Sequence, residues 1–398
     1  MVALVEEWGN INSGSQNCEG LHSMCQALGK AFSTFEGPVE EIAVPWRKMH
    51  TGTCHGKTAC QPKALALKIR PEAPIQVFLG GHMDTVFPKE SSFQKVTYLN
   101  NNTMQGPGVS DMKSGLVIML HALQAFEQTP WAREIGWEVL ITPDEETGSI
   151  GSAQLLKERA KRNHVGLIFE PAYADGSYVS ARKGSINYTL VVHGKAAHAG
   201  RDFHLGRSAI YALAHFVHLL EAVNCPEKGI TVNVGRIEGG VASNIVPELA
   251  LCHFNVRMGV IDDVEHLRQN IVELVEACQK REGIKMELIE NVMRPPKPFD
   301  SATQNLFEQM KKCACSLHQP FKWQASGGVS DGNLMAAAGL PNIDTLGGIG
   351  GNIHTEEEYL LIDSLVGKAS LVALFLIKLA TREIVLHRGG SDERSIKA

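Results

Sequence analysis

Residues 142–148 read Thr-Pro-Asp-Glu-Glu-Thr-Gly, and the two adjacent glutamates come directly after a run of apolar residues. A second apolar run, residues 75–79, leads in the same way into Gly80-Gly81-His82-Met83-Asp84-Thr85. Short apolar runs of this length are typical of buried strands. Acidic and imidazole groups at the ends of such strands favour a shared cation. The pattern therefore predicts metal-dependent hydrolytic chemistry on an α/β sheet.

The composition excludes several classes of protein. The chain has 398 residues, a formal net charge of −5 and 44% hydrophobic residues, which is ordinary for a globular protein and argues against nucleic-acid binding. The apolar stretch 371–379 is too short to span a membrane, so we expect no membrane partner. Nine cysteines without a C-x-x-C pair favour a reducing, cytoplasmic compartment. Residues 1–7 do not resemble a signal peptide, although a leader upstream of them would leave export open.

The order of predicted elements indicates two interleaved domains. Strands and helices alternate up to about residue 183, with helices at 114–128 and 149–162 and a strand at 165–169. The rhythm then changes to βαββαβ, the split βαβ order of a ferredoxin-like domain. The predicted elements of this insert are 185–192, 207–223, 230–238, 249–257, 264–281 and 285–292.

After the insert the α/β rhythm returns, with a helix at 301–316, strands at 321–325 and 343–346, and a helix at 363–382. We therefore predict an α/β catalytic domain built from residues 1–183 and 294–398, interrupted by an inserted domain at 184–293. Residues 294–298, rich in proline, form the predicted connection back to the first domain.

Six acidic and imidazole residues stand just after strands or in glycine-rich loops, where ligands gather in open α/β sheets. They are His82, Asp111, Glu145, Glu146, Glu170 and His354. Two zinc ions carry +4, and three carboxylates from this set supply −3, so the charges nearly balance. The second glutamate of the pair can be a ligand while Glu145 stays free as a general acid/base. Asp84, two residues beyond His82, can accept the other ring N–H of that histidine.

Each of these residues alone also fits an ordinary structural role. Asp111 could cap a helix, Glu170 with Pro171 could form a turn, and a single histidine is more often a surface or core residue than a ligand. The metal interpretation depends on all six occurring together, in this order and at strand ends.

The motifs resemble those of a known enzyme family. Residues 81–86 (GHMDTV), 106–113 (GPGVSDMK), 144–149 (DEETGS) and 169–171 (FEP) are similar to the successive signatures of the di-zinc family of glutamate carboxypeptidases, aminoacylases, acetylornithine deacetylases and succinyl-diaminopimelate desuccinylases. The resemblance covers nearly the whole chain and is strongest to the bacterial glutamate carboxypeptidase branch. It implies a zinc-hydrolase fold, a three-layer sheet domain with an inserted lid and dimerisation domain.

The resemblance also implies roles for individual residues. His82 and Glu170 would hold one zinc ion, Glu146 and His354 the other, and Asp111 would bridge both, followed by a cis peptide bond to Met112. The implied cofactor is two Zn²⁺ per subunit, with Co²⁺ or Mn²⁺ as alternative metals. Glu145 would be the general acid/base and Asp84 the residue that orients His82.

For the inserted domain the resemblance implies contacts with substrate and with a second subunit. His198, in Gly194–Gly200, would stabilise the oxyanion and reach the partner's site in a homodimer. Asn244, Arg257 and Gly328 match substrate-binding positions, and the arginine fork suits a carboxylate. Glutamate-specific relatives have a lysine soon after the Glu-Pro turn, and residues 172–178 contain none. The nearest bases there are Arg182 and Lys183, and Arg294 is a further substitute.

The interpretation that these residues favour is a metallo-exopeptidase that releases a C-terminal amino acid such as glutamate from a small peptide. The first alternative is an N-acyl-amino-acid deacylase, because both reactions hydrolyse an amide next to a free carboxylate. A remote alternative is a serine hydrolase: Gly328-Val329-Ser330-Asp331-Gly332 fits the nucleophile-elbow pattern, with Asp344 and His354 following in the right order. A binding protein without activity is a further alternative, although such proteins usually lack a ligand or the base.

Overall fold

The computed structural model describes residues 1–45 and 61–386. A six-stranded sheet forms the centre of the larger part, in the order β1-β2-β6-β3-β7-β14. β3 is parallel to both β6 and β7, and β14 is parallel to β7. β2 is antiparallel to both of its neighbours, β1 and β6. The strands are β1 Val39–Ala43, β2 Lys63–Ile69, β3 Gln76–His82, β6 Gly136–Thr142, β7 Val165–Ile168 and β14 Asn342–Ile343.

Helices cover both faces of this sheet because successive residues of its strands point to opposite sides. On β3, Val77 and Leu79 join one apolar core, while Phe78 between them joins another. The first core is shared with α1 Val2–Gly9, α2 Cys18–Phe32, α3 Ser114–Glu127, α7 Ser301–Ser316 and α9 Ser364–Ala380. The second is shared with α4 Ala153–Arg162 and α8 Asp331–Ala337. The predicted α/β layering is confirmed.

Two smaller sheets lie beside the central one and support the loops of the site. An antiparallel sheet has the order β15-β16-β5-β4, and a parallel pair joins β13 to β8. The strands are β4 Thr97–Asn100, β5 Thr103–Gln105, β8 Tyr178–Arg182, β13 Trp323–Ser326, β15 Gly350–Gly351 and β16 Tyr359–Leu361.

Residues 184–294 form a separate four-stranded antiparallel sheet with its own apolar core, which we call the inserted unit. Its elements are β9 Gly184–His193, α5 Ala209–Leu220, β10 Thr231–Gly239, β11 Leu249–Met258, α6 Asp263–Gln279 and β12 Lys285–Arg294. They follow the βαββαβ order, and the strands are arranged β10-β11-β9-β12 with both helices contributing to one core. The exact domain boundaries and the use of this unit as a lid stay predictions.

Several predicted element ends were wrong. The helix expected from residue 149 begins only at Ala153, because Gly148 and Ser149 both have positive φ and the Asp144 carboxylate accepts hydrogen bonds from the backbone of Gly151 and Ser152. The predicted strands 321–325 and 343–346 are displaced or shortened to β13 and β14. Arg294, assigned to the connection, is the last residue of β12. Residues 387–398 of the predicted third segment lie outside the described residues.

Within residues 1–45 and 61–386, every helix is too short or too polar to cross a lipid bilayer. Cys18 is disulfide-bonded, whereas Cys25, Cys225, Cys252, Cys278, Cys313 and Cys315 are free thiols. The expectation of a reducing, cytoplasmic compartment assumed that all the cysteines are reduced, and the bonded Cys18 does not fit that assumption. The cytoplasmic location therefore stays a prediction.

Lys368 is a buried amine within α9, only 5% exposed. Its Nζ lies 3.6 Å from the centre of the Tyr178 ring, and among the described residues it has no hydrogen-bond partner. The ring face favours the charged amine, but burial disfavours it more, and burial lowers the pKa of Lys368 to about 7. The folded protein therefore holds this proton less tightly than the unfolded chain does.

We expect Lys368→Met to raise the free energy of unfolding at pH 7 by roughly 1–3 kcal/mol, because it removes an unsatisfied buried polar group. Since the unfolded lysine stays protonated up to about pH 10, wild-type stability should rise with pH above 7, and the advantage of methionine should shrink. Urea unfolding at pH 7 and pH 9 measures both. Lys378→Met on the same helix, where the amine reaches Ser316 at the surface, is the matched control. A gain that does not change with pH would contradict the explanation.

Candidate metal centre and active-site cleft

Three parallel neighbouring strands bring the predicted ligands to one edge of the central sheet. His82 is the last residue of β3, Glu145 and Glu146 follow β6, and Glu170 follows β7. Because the carboxyl ends of parallel strands meet at the same edge, these side chains converge although they are far apart in sequence. Asp111 comes from the turn before α3 and His354 from the loop after β15.

Asp111 lies between the two histidines. Its Oδ1 is 3.2 Å from His82 Nε2, and its Oδ2 is 3.3 Å from His354 Nε2. Glu170 Oε2 lies 3.6 Å from the same nitrogen of His82, and Glu146 Oε2 lies 3.3 Å from the same nitrogen of His354. The structure thus brings all five predicted ligands together, in two halves that share one carboxylate.

The pKa values of Glu146, Glu170 and His354 are all raised in this cluster. Burial, together with the facing Asp111 carboxylate, raises the pKa of Glu146 to about 8. Burial also raises the pKa of Glu170 to about 8, against the opposing effect of His82. Asp111 and Glu146 raise the pKa of His354 to about 10. Near neutral pH this cluster therefore retains protons that a metal cation would replace.

The imidazole and carboxylate donors suit a transition-metal cation. Within residues 1–45 and 61–386, two groups of three have ligand atoms within 4.8 Å of one another: His82 with Glu145 and Glu170, and His82 with Asp111 and Glu146. Burial opposes the charged form of His82, but Glu170, Asp111 and Asp84 outweigh it and raise the pKa of this imidazole. Residues of this kind, buried and mutually repelling without a cation, fit the predicted metal centre.

Asp84 is fully buried and contacts His82, Glu145 and Glu146. The Nδ1 atom of His82 is 3.0 Å from the backbone carbonyl of Asp84 and 3.4 Å from its carboxylate, so the carbonyl is the nearer acceptor. The carboxylate instead accepts hydrogen bonds from the backbone N–H groups of Glu145 and Glu146, both at 3.1 Å, and from the Ser15 hydroxyl. Asp84 therefore fixes the acidic pair as well as the histidine ring.

Glu358 is a supporting residue that the sequence pattern did not single out. Its buried carboxylate accepts hydrogen bonds from the backbone N–H groups of Ser110 at 2.8 Å, Asp111 at 3.0 Å and Gly108 at 3.3 Å. The peptide bond from Asp111 to Met112 is cis, as expected. Glu358 thus positions the turn that presents the shared carboxylate. Glu358 directly precedes β16, and the pairing of β16 with β5 brings it beside this turn.

Arg294 contacts Glu145 rather than open space. Its Nη1 lies 2.7 Å from Glu145 Oε1, and its Nη2 donates to the Glu145 carbonyl and to Ser149 Oγ and lies 3.3 Å from Asp331 Oδ1. Arg294 is 4% exposed. Its guanidinium orients the carboxylate of Glu145, and because Arg294 also lines a cavity over the cluster, its role as a substitute for a substrate-binding base stays a prediction.

A cavity of about 640 Å³ opens over the cluster, between the central sheet and the inserted unit. Arg257 and Gly328 line it, together with Asp111, Glu145, Glu146, Glu170 and His354. Arg257 is held by Asn255 and donates to the Gly327 carbonyl across the cleft at 3.3 Å. Two of the predicted substrate-binding residues therefore share a cavity with the metal-type cluster.

His198 and Asn244 lie elsewhere. The backbone N–H of Ala199 donates to the Asn244 carbonyl, so the two loops that carry these residues are paired on the inserted unit. The imidazole of His198 is exposed and accepts from the backbone of Gly200 and Arg201. Neither residue lines the 640 Å³ cavity of its own chain.

The contacts of the Ser330 hydroxyl are those of a helix cap and not those of a catalytic nucleophile. Its hydroxyl caps α8 by accepting from the Gly332 N–H, and it donates to Asp344 at 3.1 Å. Asp344 in turn pairs with Arg182 and Lys297, while His354 belongs to the metal-type cluster. The serine, aspartate and histidine of the remote alternative do not form a triad.

Residues 78–378 match the family described as Peptidase family M20/M25/M40. Among curated proteins, the chain is 27% identical over 387 residues to carboxypeptidase G2 of Pseudomonas sp. (strain RS-16), covering 95% of this chain and 89% of that protein. It is also 27% identical over 299 residues to succinyl-diaminopimelate desuccinylase of Marinobacter nauticus, covering 71% of this chain and 76% of that one.

Solved structures have the same fold. An M20 family metallo-carboxypeptidase from Sulfolobus solfataricus superposes with a TM-score of 0.74 at 16% identity, covering 96% of this chain and 99% of that one. A tripeptidase from Staphylococcus aureus gives a TM-score of 0.73 at 24% identity, covering 96% and 98%. At these identities the likeness shows the fold alone.

We expect Glu358→Ala to weaken metal binding about 10–100-fold, because the backbone donors that position Asp111 lose their acceptor. Competition with a chromophoric chelator measures this. Glu358→Gln keeps one acceptor oxygen and should lose less, and Glu357→Ala, an exposed neighbour, is the matched control. Wild-type affinity in a folded Glu358→Ala protein would refute this positioning role.

Proposed function

The chain belongs to peptidase family M20/M25/M40, and from this premise we propose that it is a zinc-dependent exopeptidase that hydrolyses the amide bond next to a free carboxylate. Peptidases of this family are metal-dependent, and the C-terminal residue that we propose as product is an amino acid such as glutamate. The observation that carries the proposal is one cavity lined by the acidic and imidazole cluster, by Glu145 and by Arg257.

We assign two zinc ions to the cluster. His82 and Glu170 would hold one ion, Glu146 and His354 would hold the other, and Asp111 would contribute one oxygen to each. The two contacts of Asp111, 3.2 Å to one imidazole and 3.3 Å to the other, support this division. Bound metal supplies a Lewis acid for the scissile carbonyl and lowers the pKa of the attacking water.

Glu145 is the proposed general acid/base. Its carboxylate lies within 4.8 Å of ligand atoms of His82 and Glu170 and lines the cavity, so it can take a proton from the attacking water and give it to the leaving nitrogen. The ion pair with Arg294 and the hydrogen bond from its own N–H to Asp84 hold this carboxylate in place. Because the Glu145 carboxylate is already paired with Arg294, it is also less suited than the other acids of the cluster to bind a metal ion directly.

Arg257 is the proposed anchor for the substrate carboxylate. Its Nε is used by Asn255, and its Nη1 makes a long 3.3 Å contact to a carbonyl, which leaves donors directed at the cavity. Bidentate hydrogen bonding by a guanidinium suits a planar carboxylate. The likeness to carboxypeptidase G2 supports a released C-terminal residue, and the likeness to succinyl-diaminopimelate desuccinylases supports the alternative of N-acyl-amino-acid deacylation.

A homodimer through the inserted unit accounts for the position of His198 and Asn244. Both are exposed, and large apolar side chains are exposed on the same unit, including Val241 at 87% and Phe203 at 69%. β10 is an edge strand with one side unpaired in this chain. Pairing of this surface with a second copy would cover these groups and allow His198 to stabilise the oxyanion in the partner's site.

A panel of acyl-glutamates, dipeptides and N-acetyl-amino acids, assayed with added zinc, tests the proposed function. We expect hydrolysis of members with a free α-carboxylate, little hydrolysis of their carboxamide analogues, and loss of activity on chelation that zinc restores. In Arg257→Ala, the preference for carboxylate over carboxamide should fall about 10-fold or more, since a charge-assisted hydrogen bond is lost. Activity that survives complete metal removal would rule out this mechanism.

Glu145→Ala should keep its metal but lose about 10²–10⁴-fold in kcat, because proton transfer to the leaving nitrogen then depends on solvent. Elemental analysis and steady-state kinetics on the same preparation separate the two effects. Glu145→Gln, which keeps the size of the side chain, should behave in the same way. A variant with half the wild-type rate, or one that has lost its zinc, would contradict the role of Glu145.

A further inference from the structure

The inserted unit has one sheet face without helices, and the half of this face nearest the active-site cleft is polar. Along β9, Ile186, Tyr188 and Leu190 enter the apolar core under α5 and α6. The residues between them therefore point to the other face. On the half of this face nearest the active-site cleft, the outward residues of β9 and β11 are Ser185, Asn187, Thr189, His253, Asn255 and Arg257, whereas the far half includes the apolar Val191 and Leu251.

The register of the strands arranges asparagines in a row across this face. Asn233 of β10 is opposite Asn255 of β11, Asn255 is opposite Asn187 of β9, and Asn187 is opposite Val292 of β12. The neighbouring row consists of Arg257, Ser185 and Arg294. Two of the arginines that line the active-site cleft, Arg257 and Arg294, are thus followed, one row further along the strands, by a row of neutral amides.

The cleft continues over this face. A second cavity, of about 380 Å³, is lined by the asparagine row, by Asn291 and by the far end of the sheet. It shares Asn187 and Val292 with the 640 Å³ cavity over the metal-type cluster. We call the 380 Å³ cavity the asparagine groove. The two cavities are therefore neighbours, and Asn187 and Val292 lie at their shared boundary.

The groove offers unused neutral hydrogen-bonding groups. Asn255 is fully engaged with Arg257, Ser185 and Asn187. The side-chain amide N–H of Asn291 donates to the Thr189 hydroxyl. Within the described part of the chain, the Asn291 side-chain oxygen and the whole side-chain amide of Asn233 have no hydrogen-bond partner. At the far end, Arg236 and His253 both contact Glu238, so the charge of Arg236 is paired with a carboxylate. Neutral donors and acceptors in a groove suit amide groups better than ions.

We propose that the asparagine groove binds the acyl side of a peptide substrate, so that the enzyme prefers peptides of about four residues over acetyl-amino acids or dipeptides. This inference rests on the proposed function. The C-terminal residue ends in its carboxylate at Arg257, so only the acyl side can extend beyond the first cavity. Arg257 and His253 are four residues apart on β11, about 13 Å, a distance that roughly four extended peptide residues cover.

The test uses N-acetyl-(Ala)n-Xaa with n from 0 to 3, where Xaa is the C-terminal residue that the substrate panel selects. The acetyl group removes the amino-terminal charge, so only length changes. We expect kcat/KM to rise about tenfold from n = 0 to n = 2, as two added hydrogen bonds would give, and then to level off.

Three variants assign that rise to the groove. Asn233→Ala and Asn291→Ala should each reduce the ratio of kcat/KM between n = 2 and n = 0 to about threefold. Gly235→Leu should abolish the rise by filling the groove, and its Cβ would meet nothing closer than 3.8 Å, so folding is not threatened. Asn270→Ala, on α6 behind the sheet, is the matched control and should keep the wild-type ratio.

The outcomes separate this inference from the proposed function. A wild-type kcat/KM that does not change with n, or variants that keep the wild-type ratio, would overturn the groove while hydrolysis of the acetyl-amino acid still supports the exopeptidase. If the zinc-loaded protein hydrolyses no member of the panel or the series, the proposed function fails and the inference fails with it.

Discussion

Asp111 gives one carboxylate oxygen to each of two histidines, and these two contacts connect the halves of a buried acidic site. The site collects Glu146 and Glu170 around the same point, and burial, with a smaller contribution from the neighbouring Asp111 carboxylate, raises the pKa of each to about 8. Such an arrangement is stable only when protons or cations occupy it. Contacts from the surrounding residues hold the acidic and imidazole side chains of the site together.

Supporting contacts hold the backbone as much as the side chains. Asp84 accepts from the N–H groups of Glu145 and Glu146, and Glu358 accepts from three N–H groups of the turn that carries Asp111. Arg294 connects Glu145 to Asp331 and lies at the end of β12, where the inserted unit returns to the central sheet. The position of the proposed base therefore depends on the junction between the two parts of the molecule.

The inserted unit contributes chemistry through the register of its strands. One row of its free face places Arg257 and Arg294 beside Ser185, and the next row aligns three asparagines. Side chains thus change from charged to neutral along the strand direction, away from the metal-type cluster. This order is the basis of our proposal that a substrate would place its carboxylate at the arginines and its amides along the asparagines.

The amino-acid sequence by itself determined the layering of the fold and which acidic and imidazole residues converge at one edge of the central sheet. Apolar runs such as 75–79 had to be buried strands, and acidic or imidazole residues directly after them had to lie at one sheet edge, because parallel strands end together. It also determined the βαββαβ order of the insert through its change of rhythm. Loop and helix ends were less predictable: α4 begins at Ala153 because the Asp144 carboxylate accepts hydrogen bonds from backbone N–H groups seven and eight residues away, which no propensity encodes.

Only the tertiary structure decided which polar groups meet across long sequence separations. Glu358 is 247 residues from the Asp111 N–H that it accepts, and Arg294 is 149 residues from the Glu145 carbonyl to which it donates. The pattern of Ser330, Asp344 and His354 fits a triad in sequence, yet in the fold Ser330 donates directly to Asp344, which pairs with Arg182, while His354 belongs to the metal-type cluster. A motif fixes side-chain chemistry, whereas distance and direction come from strand register and packing, which depend on the whole chain.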